Sequence, residues 1–158
     1  MQRVYIILGL VSLLLVTGTG AAKQSNTSDF GLWQRSCNDA SRCMLTQKVT
    51  YSNEGKSHVV AGATVSKTRM GIILTLRVPP VANAKQGLGM KVDDHPAIRV
   101  PLKQCDSNVC ESNIAVDSIL LAQMQQGQVM AVAYFDVNDK QITLPVYLQG
   151  FAGALSTI

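Results

Sequence analysis

The sequence predicts a mainly β fold: an antiparallel β-sandwich, jelly-roll-like, with one short internal helix and a short C-terminal helix. Three observations carry this. Apolar residues recur with a period of two in several stretches, clusters of turn-forming residues separate those stretches, and only two segments space their apolar residues as a helix does. The expected layout is a signal peptide over 1–22, a flexible leader over 23–29 and a single β-sandwich domain over 30–158.

The chain opens "MQRVYIILGLVSLLLVTGTGAAKQ", with one charge at Arg3, an apolar run from Val4 to Val16 and small residues before Lys23. This is the layout of a secretory signal peptide, with Gly20 and Ala22 placed for cleavage after Ala22. An uncleaved anchor is the competing reading, since Val4 to Ala22 approaches the roughly 20 residues that span a bilayer. The run ends in "TGTGAA" rather than in a basic stop-transfer cluster, which favours cleavage, and no transmembrane span is expected after it. The polar "KQSNTSD" follows as the leader.

Strands come next. "MLTQKVTY" alternates weakly, and "GIILTLRVPP" places Ile72, Leu74, Leu76 and Val78 on one face with Ile73, Thr75 and Arg77 on the other. "AIRVPLK" repeats the pattern with Ile98, Val100 and Leu102, and "VMAVAYFDV" is apolar on both faces, as a central strand is. "QITLPVYLQ" turns Ile142, Leu144, Val146 and Leu148 inward. Pro101 and Pro145 mark edges or bulges, because proline donates nothing to a ladder. "SNEGKS", "PPVANAKQGLG", "DSNVC" and "DVNDKQ" are the turns.

Two segments break the rhythm. "DSILLAQMQQGQ" has Asp117 or Ser118 as N-cap, an apolar group of Ile119, Leu120 and Met124, and Gly127 as a stop, so it predicts a short helix. "GFAGALSTI" spaces Phe151, Ala154, Leu155 and Ile158 on one helical face that should close the core.

The four cysteines, Cys37, Cys43, Cys105 and Cys110, make an even set, and in an exported chain disulfides are the default. "CNDASRC" and "CDSNVC" lack the two-residue gap of a zinc knuckle or of a thioredoxin-like pair. Three connectivities are possible. The local one, Cys37 with Cys43 and Cys105 with Cys110, is favoured because each pair encloses polar turn sequence between extended flanks. Chain entropy alone would favour a long pairing, at about 4 kcal/mol against about 2 kcal/mol for a short loop.

Charge and composition narrow the function. The net charge is +4, or +3 once Arg3 leaves with the signal peptide, and the basic residues are scattered singly. There is no basic stripe or aromatic platform for nucleic acid. The histidines are His58 and His95, and "KVDDHPAI" places Asp93, Asp94 and His95 together, residue types that suit a metal or an acid/base pair. Neighbours on an extended chain point apart, so a solvated loop is the preferred reading. Serine-nucleophile, zinc-helix and phosphate-loop motifs are missing from the sequence. Trp33, the only tryptophan, is expected in the core, with an exposed ligand platform as the alternative.

The order of "FGLWQRSC", a second cysteine with "MLTQ", "GIILTLRVPP", a later cysteine pair, "YF" and "LPVYLQGFAGAL" resembles the bacterial invasion-associated locus B family. The resemblance covers essentially the whole mature chain. Its most specific residues are Phe30, Trp33 and Cys37, the paired cysteines, and Leu148, Gly150, Phe151 and Leu155. Where that family often has a glycine-rich tip in the second cysteine pair, this chain has "DSNV". The resemblance implies an exported, disulfide-bonded β protein of the envelope, linked in some pathogens to entry into host cells, with no catalytic set to carry over. The expected function is therefore that of a non-catalytic, periplasmic or secreted envelope protein, without cofactor or bound metal, whose envelope or host-surface partner is unidentified. Its candidate binding-surface residues are Trp33, Asp94 and His95. The alternatives are an enzyme or metal-binding protein centred on Asp94 and His95, and a redox protein using Cys105 and Cys110.

Overall fold

The computed structural model describes residues 26–39 and 42–158; the expected signal peptide lies outside the described residues. The chain forms β1 (Asn26–Phe30), β2 (Trp33–Asp39), β3 (Arg42–Asn53), β4 (Lys56–Thr68), β5 (Gly71–Val78), β6 (Leu88–Val92), β7 (Ile98–Val100), β8 (Gln104–Cys105) and β9 (Cys110–Val116). The helix α1 (Ser118–Gln126), the strands β10 (Val129–Phe135) and β11 (Gln141–Tyr147) and the helix α2 (Phe151–Leu155) complete it. One sheet has seven strands in the order β1-β2-β3-β4-β5-β9-β8, the other four in the order β11-β10-β6-β7.

Antiparallel alternation places the core between the sheets. Leu74, Leu76 and Val78 of β5 are buried while Arg77 is exposed, and Val146 of β11 is buried between exposed Pro145 and Tyr147. Central β10 buries Met130, Val132 and Tyr134 and half-buries the residues between them. The turns follow residue chemistry. At the β3–β4 hairpin Glu54 and Gly55 have φ of 50° and 76°, the paired positive values whose twist matches the strands. At the β8–β9 tip the Asp106 carboxylate accepts from the N–H of Asn108 (2.7 Å) and of Val109 (2.9 Å), so "DSNV" holds its turn with a side chain.

Asp117 caps α1 by accepting from the Leu120 N–H at 2.8 Å, and Gly127 ends it. At the other end of the chain Phe151 packs on Trp33, ring centroids 5.0 Å apart at 52°. Gly150, at φ 86°, lies so close to β1 that a Cβ there would collide with the Phe30 carbonyl. The strands β1 and β2 are thus locked to α2.

Four details depart from the sequence reading. The leader expected over 23–29 is strand from Asn26: β1 pairs with β2 from Asn26↔Cys37 to Phe30↔Trp33. A polar edge strand is held by ladder hydrogen bonds, so it shows no apolar alternation. The wiring β1 to β5 is a meander of consecutive hairpins, where a jelly roll would interleave Greek keys. Ile119 is 69% exposed, because α1 buries only Leu120 and Met124, which lie four residues apart. The edge strand β7 of the smaller sheet stops at Val100, before Pro101, and leaves Leu102 outside it.

Candidate functional site

The two sulfur pairs come first. Cys37 bonds to Cys43 and Cys105 to Cys110, with Cα atoms 4.0 Å apart in each. They join directly opposed residues of β2–β3 and of β8–β9, so each closes a hairpin tip. Cys105 is exposed and Cys110 buried, its Sγ 4.0 Å from the Ala82 carbonyl oxygen. There is no free cysteine among the described residues.

The "DDH" loop is built for support. Asp93 has φ 44°, and its carboxylate accepts from the N–H of Gln128 (2.9 Å) and of Val129 (2.9 Å), which fastens the start of β10 to the end of β6. Those N–H groups hold its carboxyl below the ordinary aspartate range. Asp94 and His95 are exposed, and among the described residues no set of three or more metal-ligating side chains comes together. Beside this loop Pro96, Ile98 and Ile119 line a cavity of about 250 Å³.

Trp33 is not a surface platform: it is 0% exposed. Its indole N–H donates to the Tyr147 carbonyl at 2.9 Å. The same carbonyl accepts from Gln47 Nε2 at 2.6 Å, while Gln47 Oε1 accepts from the Tyr147 N–H at 2.8 Å. Gln47 is 2% exposed, so its amide works as one buried link of a peptide ladder between β3 and β11.

A concave feature lies on the outer face of the seven-stranded sheet, a groove of about 460 Å³. Lys48, Gly62 and Arg77 form one cross-strand row of its floor, beside Thr46 and Thr64. Arg77 is anchored by Glu111 at 2.9 Å and by Thr64 Oγ1 at 3.3 Å. One wall is Val59 and Val60. A register shift pairs Val49 with Ala61 and Thr50 with Val59, so Val60 is the extra residue of a bulge that brings both valines to the groove. The facing wall is Pro79 and Pro80 with Asn108 and Val109 of the stapled tip. Sequence reading missed these residues; the one signal was Gly62 inside a strand, where a glycine often marks close approach by a ligand or another backbone.

Comparisons with known proteins agree with this architecture. The crystal structure of invasion associated protein B from Bartonella henselae is similar, with a TM-score of 0.74 and 23% identity over 84% of this chain and 94% of that one. Curated proteins give no match to the chain. The family described as Invasion associated locus B (IalB) protein matches residues 33–158, nearly the whole described chain. The protein therefore belongs to the invasion associated locus B family.

Proposed function

We propose that the protein is an exported, non-catalytic binding module of the bacterial envelope that takes part in contact with host cells. The observation that carries this reading is the family match over residues 33–158. The Bartonella henselae relative is named an invasion associated protein, which supports a role on the route to a host cell. Two disulfides suit an oxidising compartment, and so an extracytoplasmic one. A stapled sandwich with its tips pinned is a rigid frame for presenting loops and grooves.

The test is cell fractionation joined to protease digestion of intact cells, followed by adhesion and entry assays of a deletion strain. Recovery outside the cytoplasm and reduced entry, restored by the native gene, are the expected results. A cytoplasmic protein with reduced thiols would overturn the export reading. Undiminished adhesion and entry in the deletion strain would remove the host-cell role.

A further inference from the structure

We propose that the groove on the outer face of the seven-stranded sheet binds a free anionic amphiphile, an acyl chain ending in a carboxylate. The acyl chain lies between the Val59–Val60 and Pro79–Pro80 walls, and the carboxylate is held at Lys48. This inference rests on the binding-module reading but not on any contact with a host.

Gly62 is the first argument. Its φ is not in the left-handed region, and an added Cβ would meet only the Gln47 carbonyl oxygen, at 3.8 Å, an ordinary contact. Neither backbone conformation nor packing demands a glycine there. What its missing side chain does is deepen the floor between Lys48 and Arg77.

The walls are the second argument. Val59 is 62% exposed, an apolar side chain held in water by the bulge instead of turned into the core. Opposite, Pro79 and Pro80 have their φ fixed by their rings, and Val109 is held by the Asp106 turn and the Cys105–Cys110 bond. A groove whose walls are already ordered loses little freedom on binding. Its volume falls in the range of small-molecule sites.

Charge is the third. The lining carries two cations, Lys48 and Arg77, and no carboxylate. The Arg77 guanidinium is occupied by Glu111, which leaves the exposed Lys48 ammonium to take an incoming anion. An apolar trough whose floor carries one cation besides the Glu111-paired Arg77 fits an acyl carboxylate better than a neutral lipid or a polyanion.

The experiment is isothermal titration calorimetry of the oxidised, exported protein with sodium dodecanoate below its micelle concentration, with dodecanol and anionic phospholipid vesicles as separate arms. The expected result is saturable one-to-one binding of dodecanoate, weaker binding of dodecanol, and no binding of vesicles. Gly62→Leu fills the floor and should weaken dodecanoate binding about tenfold or more at an unchanged melting temperature. If Gly62→Leu does not fold, Val59→Asp, at an exposed position, should produce the same loss. Lys48→Gln should erase the preference for dodecanoate over dodecanol. Absence of saturable dodecanoate binding overturns the proposal, and so does undiminished binding by folded variants, equal binding of dodecanol by the native protein, or binding of vesicles alone. None of these outcomes alters the fractionation and entry assays, so the two readings fail separately.

Discussion

Replacing Gln47 by leucine tests how the two sheets are joined at the β11 edge. The substitution roughly conserves volume but removes both hydrogen bonds to Tyr147, at 2.6 and 2.8 Å. The Tyr147 carbonyl keeps a partner, since the Trp33 indole still donates to it at 2.9 Å. The Tyr147 N–H keeps none that the structure provides. An orphaned, partly buried donor costs about 1 to 3 kcal/mol, and the burial of a leucine offsets part of that, so Gln47→Leu should destabilise by about 1 to 2 kcal/mol. In a domain of this size that is a melting-temperature drop of roughly 3 to 8 °C. Trp33→Phe is the companion change, because it removes the other donor to the same carbonyl. The double variant leaves that carbonyl without either partner and should cost about 1 kcal/mol more than the two single changes added together. Urea unfolding under non-reducing conditions, followed by far-ultraviolet circular dichroism, measures all four proteins. If the double-variant cost matches the sum within about 0.5 kcal/mol, Tyr147 is not the shared acceptor and the proposed link between the sheets is wrong.

Phe151→Ala removes a fully buried ring that packs on Trp33 and should cost about 3 to 5 kcal/mol, a large part of a typical stability of about 5 to 15 kcal/mol; a loss below about 1 kcal/mol would contradict the packing. Trp33 emission should be blue-shifted in the native protein and move to the red on unfolding, and native emission like that of free tryptophan would contradict its burial. Cys105→Ser with Cys110→Ser should lower stability by about 2 kcal/mol and weaken dodecanoate binding, because the tip they close is a groove wall, whereas Cys37→Ser with Cys43→Ser should lower stability alone; the reverse pattern in calorimetry would separate the tip from the groove. The Asp106 and Asp93 carboxyls are both held below the ordinary range, by the N–H groups of Asn108 and Val109 and of Gln128 and Val129 respectively. A lowered folded-state value gives stabilisation that is present above the unfolded value of about 3.9 and lost as pH falls through the folded value. Amide protection at Asn108, Val109, Gln128 and Val129 should therefore decline at acidic pH below that range, and protection that stays constant relative to the rest of the chain would refute the carboxylate's role.

Strands that bury one face wrote their alternation plainly into the sequence, which is why β5 and β11 could be read residue by residue. The caps of α1 were equally legible, since Asp117 and Gly127 are the residue types a helix boundary requires. β1 was not, because its polar side chains carry no burial signal and only the ladder to β2 orders them. Gln47 stands in the apolar phase of Leu45 and Val49, a polar residue on a core face, and its partner Tyr147 lies 100 residues away. That mismatch is visible in sequence, but its resolution is not. The groove has the same difficulty in larger form. Its walls come from a bulge in β4, the turn after β5 and the β8–β9 tip, and only pairing of β5 with both β4 and β9 brings them to one face.

If the protein is the binding module proposed above, its four sheet edges favour recognition through faces over strand addition. An open edge is a template for another chain's backbone, and each edge of this sandwich is blunted in a different way. β11 carries Pro145, which offers no N–H, and has its Tyr147 peptide taken by Gln47 and Trp33. β7 has three residues and runs into Pro101. β8 has two residues and is covalently tied to its neighbour through Cys105. β1 is a polar strand of five residues whose following turn is packed against the start of α2. On the binding-module reading proposed above, edges blunted in these ways favour the side-chain surfaces of the described residues for meeting a partner. On the outer face of the larger sheet, the bulge at Val60 and the bare backbone at Gly62 turn one such surface from flat to concave.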